Sequence, residues 1–112
     1  MTKARTNPGR PPAAHVHPRD VRLITALTAL ADPVRLVIVR ELASSTDWDR
    51  TCGSFDVPVG KAALSHHFTV LREAGLIEQR DEGARRVNRL RREEFGDRFP
   101  GLLDFVLSEE RV

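Results

Sequence analysis

The sequence has little cysteine, few aromatic residues and no long apolar run, and the first and last of these exclude whole classes of protein. Its 112 residues include one cysteine and no tyrosine, and aromatic residues make up only 5%. A single thiol cannot form an intramolecular disulfide, which excludes a secreted scaffold held together by such bonds. No apolar run approaches the roughly 18 residues that a membrane-spanning helix needs. The sequence therefore predicts a protein with neither a disulfide framework nor a membrane partner.

The N-terminal part of the sequence is rich in proline and basic side chains. A glycine and three prolines occupy the place where a signal peptide would have its hydrophobic segment: Pro8, Gly9, Pro11 and Pro12. We therefore expect a cytoplasmic protein in which residues 1–18 form a disordered basic tail. Residues 19–112 suffice for one compact domain. A domain this small hides only about two thirds of its unfolded surface, which favours dimerisation.

The formal net charge is only +2, but the two signs are separated along the chain. Residues 61–92 contain eight basic and four acidic side chains, whereas residues 93–112 contain two basic and six acidic ones. A basic block followed by an acidic segment indicates a local surface for a polyanion. The alternative from charge alone is two ordinary solvated faces.

Apolar periodicity predicts two helices in the first half of the domain. Four apolar residues recur every three positions and predict a helix over about 19–31: Val21, Ile24, Leu27 and Leu30. Asp32 and Pro33 then form a helix start, because Asp caps the first-turn amides and Pro is harmless at the first helical position. The second helix is predicted over 33–43. Residues 44–58 carry turn formers and predict a loop with at most one short helical turn.

A third helix is predicted over about 60–74, ended by Gly75. Leu64, Phe68 and Leu71 share its apolar face. Residues 76–82 and 85–90 then read as a β-hairpin with a basic tip. An apolar C-terminal helix, interrupted at Pro100, follows. The predicted fold class is α+β, mainly α with a β-hairpin, in the order of a winged helix-turn-helix domain.

Two stretches carry a resemblance to a known family. LADPVRLVIVREL (residues 30–42) and LSHHFTVLREAGLIEQRDEGARRVNRL (residues 64–90) resemble the ArsR/SmtB (arsenical-repressor) family of bacterial transcription regulators. The resemblance implies a homodimeric repressor that binds an inverted repeat in double-stranded DNA. It also implies a dimer interface built by the N- and C-terminal helices. The expected interface residues are Ile24, Leu27, Leu102, Leu103 and Val106.

The polar face of the third helix and the hairpin supply the candidate DNA contacts. On the helix, side chains suited to base edges or phosphates are Lys61, Ala62, Ser65, His66, Thr69 and Arg72. On the hairpin, arginines suited to phosphates or the minor groove are Arg80, Arg85, Arg86 and Arg89. His67 lies nearer the apolar face, so we expect it to be packed rather than to read bases.

The sequence departs from the family pattern at the start of the third helix. Gly60, Ala62 and Ala63 stand where the family usually has small hydroxyl residues. Two alternatives therefore stay open: an architectural protein that binds DNA with little sequence preference, and a winged helix module that binds proteins and has lost DNA binding.

No metal, cofactor or catalytic motif is apparent in the sequence. The loop has a single thiol, Cys52, and the terminal helix offers Asp104, Glu109 and Glu110 without a histidine. His15 and His17 are expected to be solvated rather than to bind metal. Cys52 is a candidate redox residue if its two copies approach one another in a dimer. We expect no enzyme activity and no cofactor, and the sequence does not establish whether an effector exists.

Overall fold

The computed structural model describes residues 13–45 and 47–109. These residues form five α-helices and one three-stranded antiparallel sheet, which confirms the predicted α+β winged helix-turn-helix fold. The α-helices and strands are α1 (Leu23–Leu30), α2 (Pro33–Ala43), β1 (Arg50–Thr51), α3 (Lys61–Glu73), β2 (Ile77–Glu82), β3 (Arg85–Leu90), α4 (Arg92–Arg98) and α5 (Leu102–Ser108). Short 3₁₀ helices occupy Pro18–Asp20 and Cys52–Ser54.

The second helix begins and ends where the sequence predicts. Asp32 adopts an extended backbone, and its Oδ1 accepts hydrogen bonds from the amides of Val34 at 2.8 Å and Arg35 at 3.1 Å. Pro33 occupies the first turn, where its missing N–H costs nothing. Because these signals are local, they define the start of α2 without help from tertiary contacts.

A glycine ends α3, also as predicted. Gly75 has a φ of +71°, its amide donates to Arg72 O at 3.1 Å, and the Leu76 amide donates to Leu71 O at 3.0 Å. This pair of bonds is the Schellman arrangement. A Cβ on Gly75 would lie 2.9 Å from the Cα of Pro18, so both the backbone angle and the close approach require glycine.

The hairpin turns over two residues. Glu82 and Arg85 are register partners, and Gly83, at φ +67°, is the first residue of the loop between them. A two-residue turn with a positive φ at its first position suits glycine and matches the twist of the strands.

The sheet contains one strand that the sequence does not predict. Arg50 and Thr51, inside the stretch expected to be a loop, form β1 and pair with Asn88 and Val87 of β3. The strand order is therefore β1-β3-β2, with β3 in the centre. A two-residue strand is too short for alternation to be visible and forms only because β3 is present.

The terminal helices differ from the predicted ones. The helix expected over 19–31 begins at Leu23, after a 3₁₀ turn, and its predicted apolar face is divided: Val21 and Leu30 are buried, whereas Ile24 and Leu27 are exposed. The expected C-terminal helix is two helices, α4 and α5, separated by residues 99–101.

The core lies between the helices and the inner face of the sheet. Phe95, Ile38, Leu71 and Leu76 are fully buried within it. Because α3 points Phe68 and Leu71 into this core, its opposite face is directed to solvent.

Part of the expected tail packs against the domain. Pro18 is buried, Val16 packs on the core, and His15 Nε2 accepts a hydrogen bond from the Gln79 amide at 2.9 Å. Residues 13–18 therefore belong with the domain, contrary to the predicted boundary. The reason is that Gly75 leaves room for Pro18 beside it. The rest of the expected tail, residues 1–12, lies outside the described residues.

Candidate nucleic-acid interface

The outward face of α3 is polar at its N-terminal half. Lys61, Ala62, Ser65 and His66 are all exposed. The N-cap residue of α3 is Gly60, which has no side chain, so the amides of the first turn are not bonded by a capping side chain. An exposed helix N-terminus beside a lysine is a favourable place for an anion.

Further along α3 the predicted contacts are engaged within the protein. Thr69 Oγ1 donates to Ser65 O at 3.1 Å. Arg72 donates from Nε to Ala14 O at 2.9 Å, and its guanidinium also bonds Gln79 Oε1. Arg72 thus connects α3 to β2 and to the N-terminal segment. The side chains of Thr69 and Arg72 are both half-buried rather than exposed.

Two of the four hairpin arginines are exposed. Arg85 lies beside the tip of the hairpin, 4.0 Å from the carboxylate of Glu82. Arg80 forms a closer pair with Glu82 at 2.7 Å, and its guanidinium lies 4.2 Å from the ring centroid of Trp48. Both cations stand on the hairpin that follows α3.

The other two hairpin arginines are paired with acids on the facing strand. Arg86 Nε lies 3.0 Å from Asp81 Oδ1, and both side chains are largely buried. Arg89 lies 2.6 Å from Glu78 Oε1 and 3.3 Å from Glu94 Oε1, and the hydrogen bond to Glu78 raises the pKa of Arg89. Each arginine faces an acid because the hairpin register makes them partners.

The comparisons with known proteins agree with this architecture. Residues 30–80, from the end of α1 into β2, match the family described as "Helix-turn-helix domain". The chain is also 36% identical over 78 residues to "Uncharacterized HTH-type transcriptional regulator YceK" of Bacillus subtilis (strain 168). That match covers 68% of this chain and 77% of the relative. This chain belongs to the helix-turn-helix transcriptional regulators.

The regulator exposes large apolar side chains on α1 and on α5. On α1 the side chains of Ile24 and Leu27 are 56% and 41% exposed, and Leu23 beside them is also exposed. On α5 Phe105 is 66% exposed. The sequence prediction omitted Leu23 and Phe105, although the apolar character of both residues was a usable signal. We call these four residues the apolar face.

The α5 residues predicted for a dimer interface are less accessible. Leu102 and Val106 are half-buried against the core. Leu103 is only 2% exposed and packs inside its own protomer. Its assignment to an interface is therefore corrected, because α5 directs Leu103 inward and Phe105 outward.

Cys52 lies in a polar cluster behind α3. Its Sγ accepts a hydrogen bond from Gln79 Nε2 at 3.0 Å, and the same amide nitrogen donates to Asn88 Oδ1 at 2.7 Å. Asn88 Nδ2 donates to Arg50 O at 2.9 Å. The thiol is half-buried, and this cluster joins β1 to the hairpin.

Metal-ligand clusters and membrane-spanning helices are absent from the part of the regulator that the structure describes. Across residues 13–45 and 47–109, no three His, Cys, Asp or Glu side chains are grouped as metal ligands would be. Over the same residues, each helix is too short or too polar to cross a bilayer. His15 and His17 instead bond within the protein, to Gln79 and to the amide of Arg19.

Proposed function

We propose that this regulator binds double-stranded DNA as a homodimer. In this arrangement α3 of each protomer enters the major groove at one half of an inverted repeat, and hairpin β2–β3 lies against the flanking backbone. The observation that carries the proposal is the polar, exposed face of α3 beside a hairpin that presents two exposed arginines.

The contacts on α3 divide by chemistry. Ser65 and His66 are adjacent and both exposed, and they offer a hydroxyl and a ring nitrogen to base edges. Lys61, at the helix N-terminus, suits a phosphate, and the first-turn amides add to its attraction. Ala62 offers only a methyl group. Thr69 and Arg72 contribute mainly by holding α3 in place through their internal hydrogen bonds.

The hairpin contributes position more than sequence reading. Arg80 and Arg85 suit phosphates, or the minor groove where negative potential is strongest. Arg80 also pairs with Glu82, but that pair is exposed and screened by water, so exchanging it for a phosphate costs little. Arg86 and Arg89 make less exposed ion pairs with Asp81 and Glu78, so each would gain less free energy from binding a phosphate instead.

The apolar face supports dimerisation. Four large apolar side chains exposed on two helices mark an interaction surface, and a second copy of the chain is the occupant we propose. A two-fold symmetric dimer presents two α3 helices in opposite orientations, which corresponds to an inverted repeat.

The finer assignment is to the ArsR/SmtB family. It rests on the resemblance of residues 30–42 and 64–90, and it implies that the bound dimer represses transcription from a promoter in the cytoplasm. The effector that releases the dimer is not assigned by this resemblance, because the family's metal ligand sets do not match these residues.

A second candidate is DNA binding with little sequence preference. It is favoured by the exposed hairpin arginines Arg80 and Arg85, which suit the phosphates of any sequence. It is also favoured by the absence of side-chain hydroxyls at Gly60, Ala62 and Ala63. The arginines attract DNA of any sequence, and the missing hydroxyls reduce the number of contacts available for reading bases.

Selection of binding duplexes from a random library, followed by competition, tests the proposal. We expect enrichment of an inverted repeat that an unrelated duplex displaces poorly. An unrelated duplex that competes equally would establish the second candidate. No binding even at low salt would mean that the fold serves protein interaction instead, since non-specific binding is strongest there.

A further inference from the structure

We propose that the cavity between α3 and the inner face of the hairpin is an effector site for a small organic carboxylate, whose binding displaces DNA. The proposal that a carboxylate binds here depends only on the cavity. The proposal that the carboxylate displaces DNA rests on the proposed function, because the cavity shares residues with the DNA-binding face of α3.

The cavity has the size of a ligand site. Its volume is about 370 Å³. Ligand sites usually span about 300–1,000 Å³ and combine apolar walls with a few convergent polar groups. Here α3 supplies Leu64 and Phe68 as an apolar wall, and the opposite wall comes from Cys52 and Gly53. A compact ring with a short side chain fits such a space.

The charged groups that line the cavity are cations. Lys61 and Arg72 lie on α3, and Arg86 lies on β3. Burial lowers the pKa of Arg72, and the nearby positive charge of Arg86 lowers it further. Asp81 pairs with Arg86, but Arg72 has a neutral amide, Gln79 Oε1, as its partner on the sheet. The charge of Glu73 opposes the effect of Arg86, and an anion beside Arg72 would add to that attraction and offset the repulsion from Arg86.

Guanidinium geometry favours a carboxylate as that anion. An arginine can bond both oxygens of a carboxylate at once. Arg72 donates to Ala14 O, Gln79 Oε1 and Thr69 Oγ1, which uses three of the five N–H donors of its guanidinium and leaves donors for a carboxylate. The polar groups at the base of the cavity are satisfied internally, because Gln79 Nε2 donates to Asn88 Oδ1 and to Cys52 Sγ. The apolar wall of Leu64 and Phe68 then selects a ligand with an apolar body over a bare inorganic ion.

Two residues connect this site to DNA binding. Lys61 and Ser65 line the cavity and also stand on the exposed face of α3. A bound carboxylate neutralises positive charge where a phosphate would approach and occupies side chains that the DNA would use. Ligand and DNA therefore disfavour one another, and by linkage each weakens the other's binding equally.

The first experiment measures binding without DNA. Phenylacetate is titrated into the ¹⁵N-labelled full chain, and amide chemical shifts are followed by NMR. We expect saturable shifts at Gly53, Phe68 and Gln79, and no matching shifts with the neutral isostere phenylacetamide. Equal shifts with phenylacetamide, or shifts with inorganic phosphate but not phenylacetate, would overturn the carboxylate site.

A cavity-filling variant provides the matched control. A Cβ on Gly53 meets no atom within 4 Å, so Gly53→Leu places its side chain at the cavity wall without a clash at Cβ. Gly96 in α4 is equally open and does not line the cavity. Gly53→Leu should weaken phenylacetate binding about tenfold or more, whereas Gly96→Leu should leave it unchanged. Equal affinity in both variants would place the ligand elsewhere.

The second experiment measures displacement. Saturating phenylacetate should weaken DNA affinity by about tenfold, within the usual range of allosteric coupling, and Gly53→Leu should abolish that effect. Binding of phenylacetate without any change in DNA affinity would overturn the displacement. If the chain bound no DNA under any condition, the proposed function would be wrong, but the NMR titration would still show whether phenylacetate binds in the cavity.

Discussion

Arg35 of α2 donates a hydrogen bond from its guanidinium to Nδ1 of His67 on α3, at 3.0 Å. The same guanidinium donates to the carbonyl oxygens of Ala29 at 2.7 Å and Thr28 at 3.0 Å, at the C-terminal end of α1. Because a guanidinium only donates, His67 Nδ1 is the acceptor. One buried side chain thus joins three helices and fixes α3, on which the proposed DNA contacts lie.

Replacing Arg35 should destabilise the fold. Arg35→Met keeps the bulk but leaves two carbonyl oxygens and a ring nitrogen without their donor, so we expect a loss of about 2–4 kcal/mol in urea unfolding. Arg35→Lys retains the charge but not the planar set of donors, so its free energy of unfolding should lie between those of the unmodified chain and Arg35→Met. Arg92→Met is the control, because Arg92 is exposed and its pair with Asp104 is a surface one. An equal loss in the Arg35→Met and Arg92→Met variants would contradict this role.

The sequence predicted the elements whose signals are local. Asp32 and Pro33 mark the start of α2, and Gly75 marks the end of α3, because capping depends on residues within one turn. The strand β1 and the packed segment 13–18 were missed since both depend on distant partners, β3 for one and Gly75 for the other.

The candidate site also has features that local sequence predicts and features that depend on distant partners. Helical periodicity alone indicated that Ser65 and His66 face outward. It could not show that Arg86 and Arg89 face Asp81 and Glu78, because that pairing follows from the hairpin register. Charge counted along the chain therefore overstated the cationic surface of the hairpin.

The hydrogen bond between Gln79 and His15 makes stability depend on pH. Partial burial lowers the pKa of His15 from 6.5, and the charge of Arg72 lowers it further, against an opposing effect of Glu78. The neutral ring accepts from the Gln79 amide, whereas a protonated ring has no acceptor. The contribution is therefore complete above pH 6.5 and declines below it, because the unfolded chain takes up the proton first.

Unfolding measured from about pH 5 to pH 8 checks this, since both protonation states of a histidine are sampled there. The chain should lose more stability on acidification than His15→Gln, which cannot titrate. His66→Gln is the matched control, because His66 is also exposed but, unlike His15, accepts no backbone hydrogen bond among residues 13–45 and 47–109. Parallel pH curves for the unmodified chain and His15→Gln would show that the bond has no such role.

The exposed hairpin arginines should affect affinity but not sequence preference. Arg80→Ala with Arg85→Ala removes two phosphate contacts, so the slope of log K against log salt should fall by about 0.9 for each. Binding to the selected inverted repeat and to an unrelated duplex should weaken by the same factor. Arg92→Ala removes an exposed arginine of α4 and should change neither quantity. A selective loss at the inverted repeat would show that the hairpin reads bases.

The α3 side chains should behave in the opposite way. Ser65→Ala and His66→Ala remove proposed base contacts, and each should reduce discrimination between the preferred and a substituted base by about 1–3 kcal/mol. The salt slope should stay constant for Ser65→Ala, because a serine carries no charge. Binding to single-base variants of the selected site measures both effects. Unchanged discrimination in both variants would show that residues other than Ser65 and His66 make the base contacts.

The apolar face should hold the dimer together. Ile24→Glu or Phe105→Glu places a charge on a side chain that is already exposed in the protomer, so the fold should persist while association is lost. Sedimentation should then show a folded monomer. Its DNA affinity should drop steeply, because the second half-site contact is no longer linked to the first.

Two controls separate loss of the dimer from loss of the fold. Pro58→Glu adds the same charge at an exposed position outside α1 and α5 and should remain dimeric. Leu103→Glu should instead unfold the chain, because that side chain lies in the protomer core. A dimer that survives both Ile24→Glu and Phe105→Glu would place the interface on another surface. The two α3 helices would then have a different spacing, and the half-sites of any selected inverted repeat would reveal it.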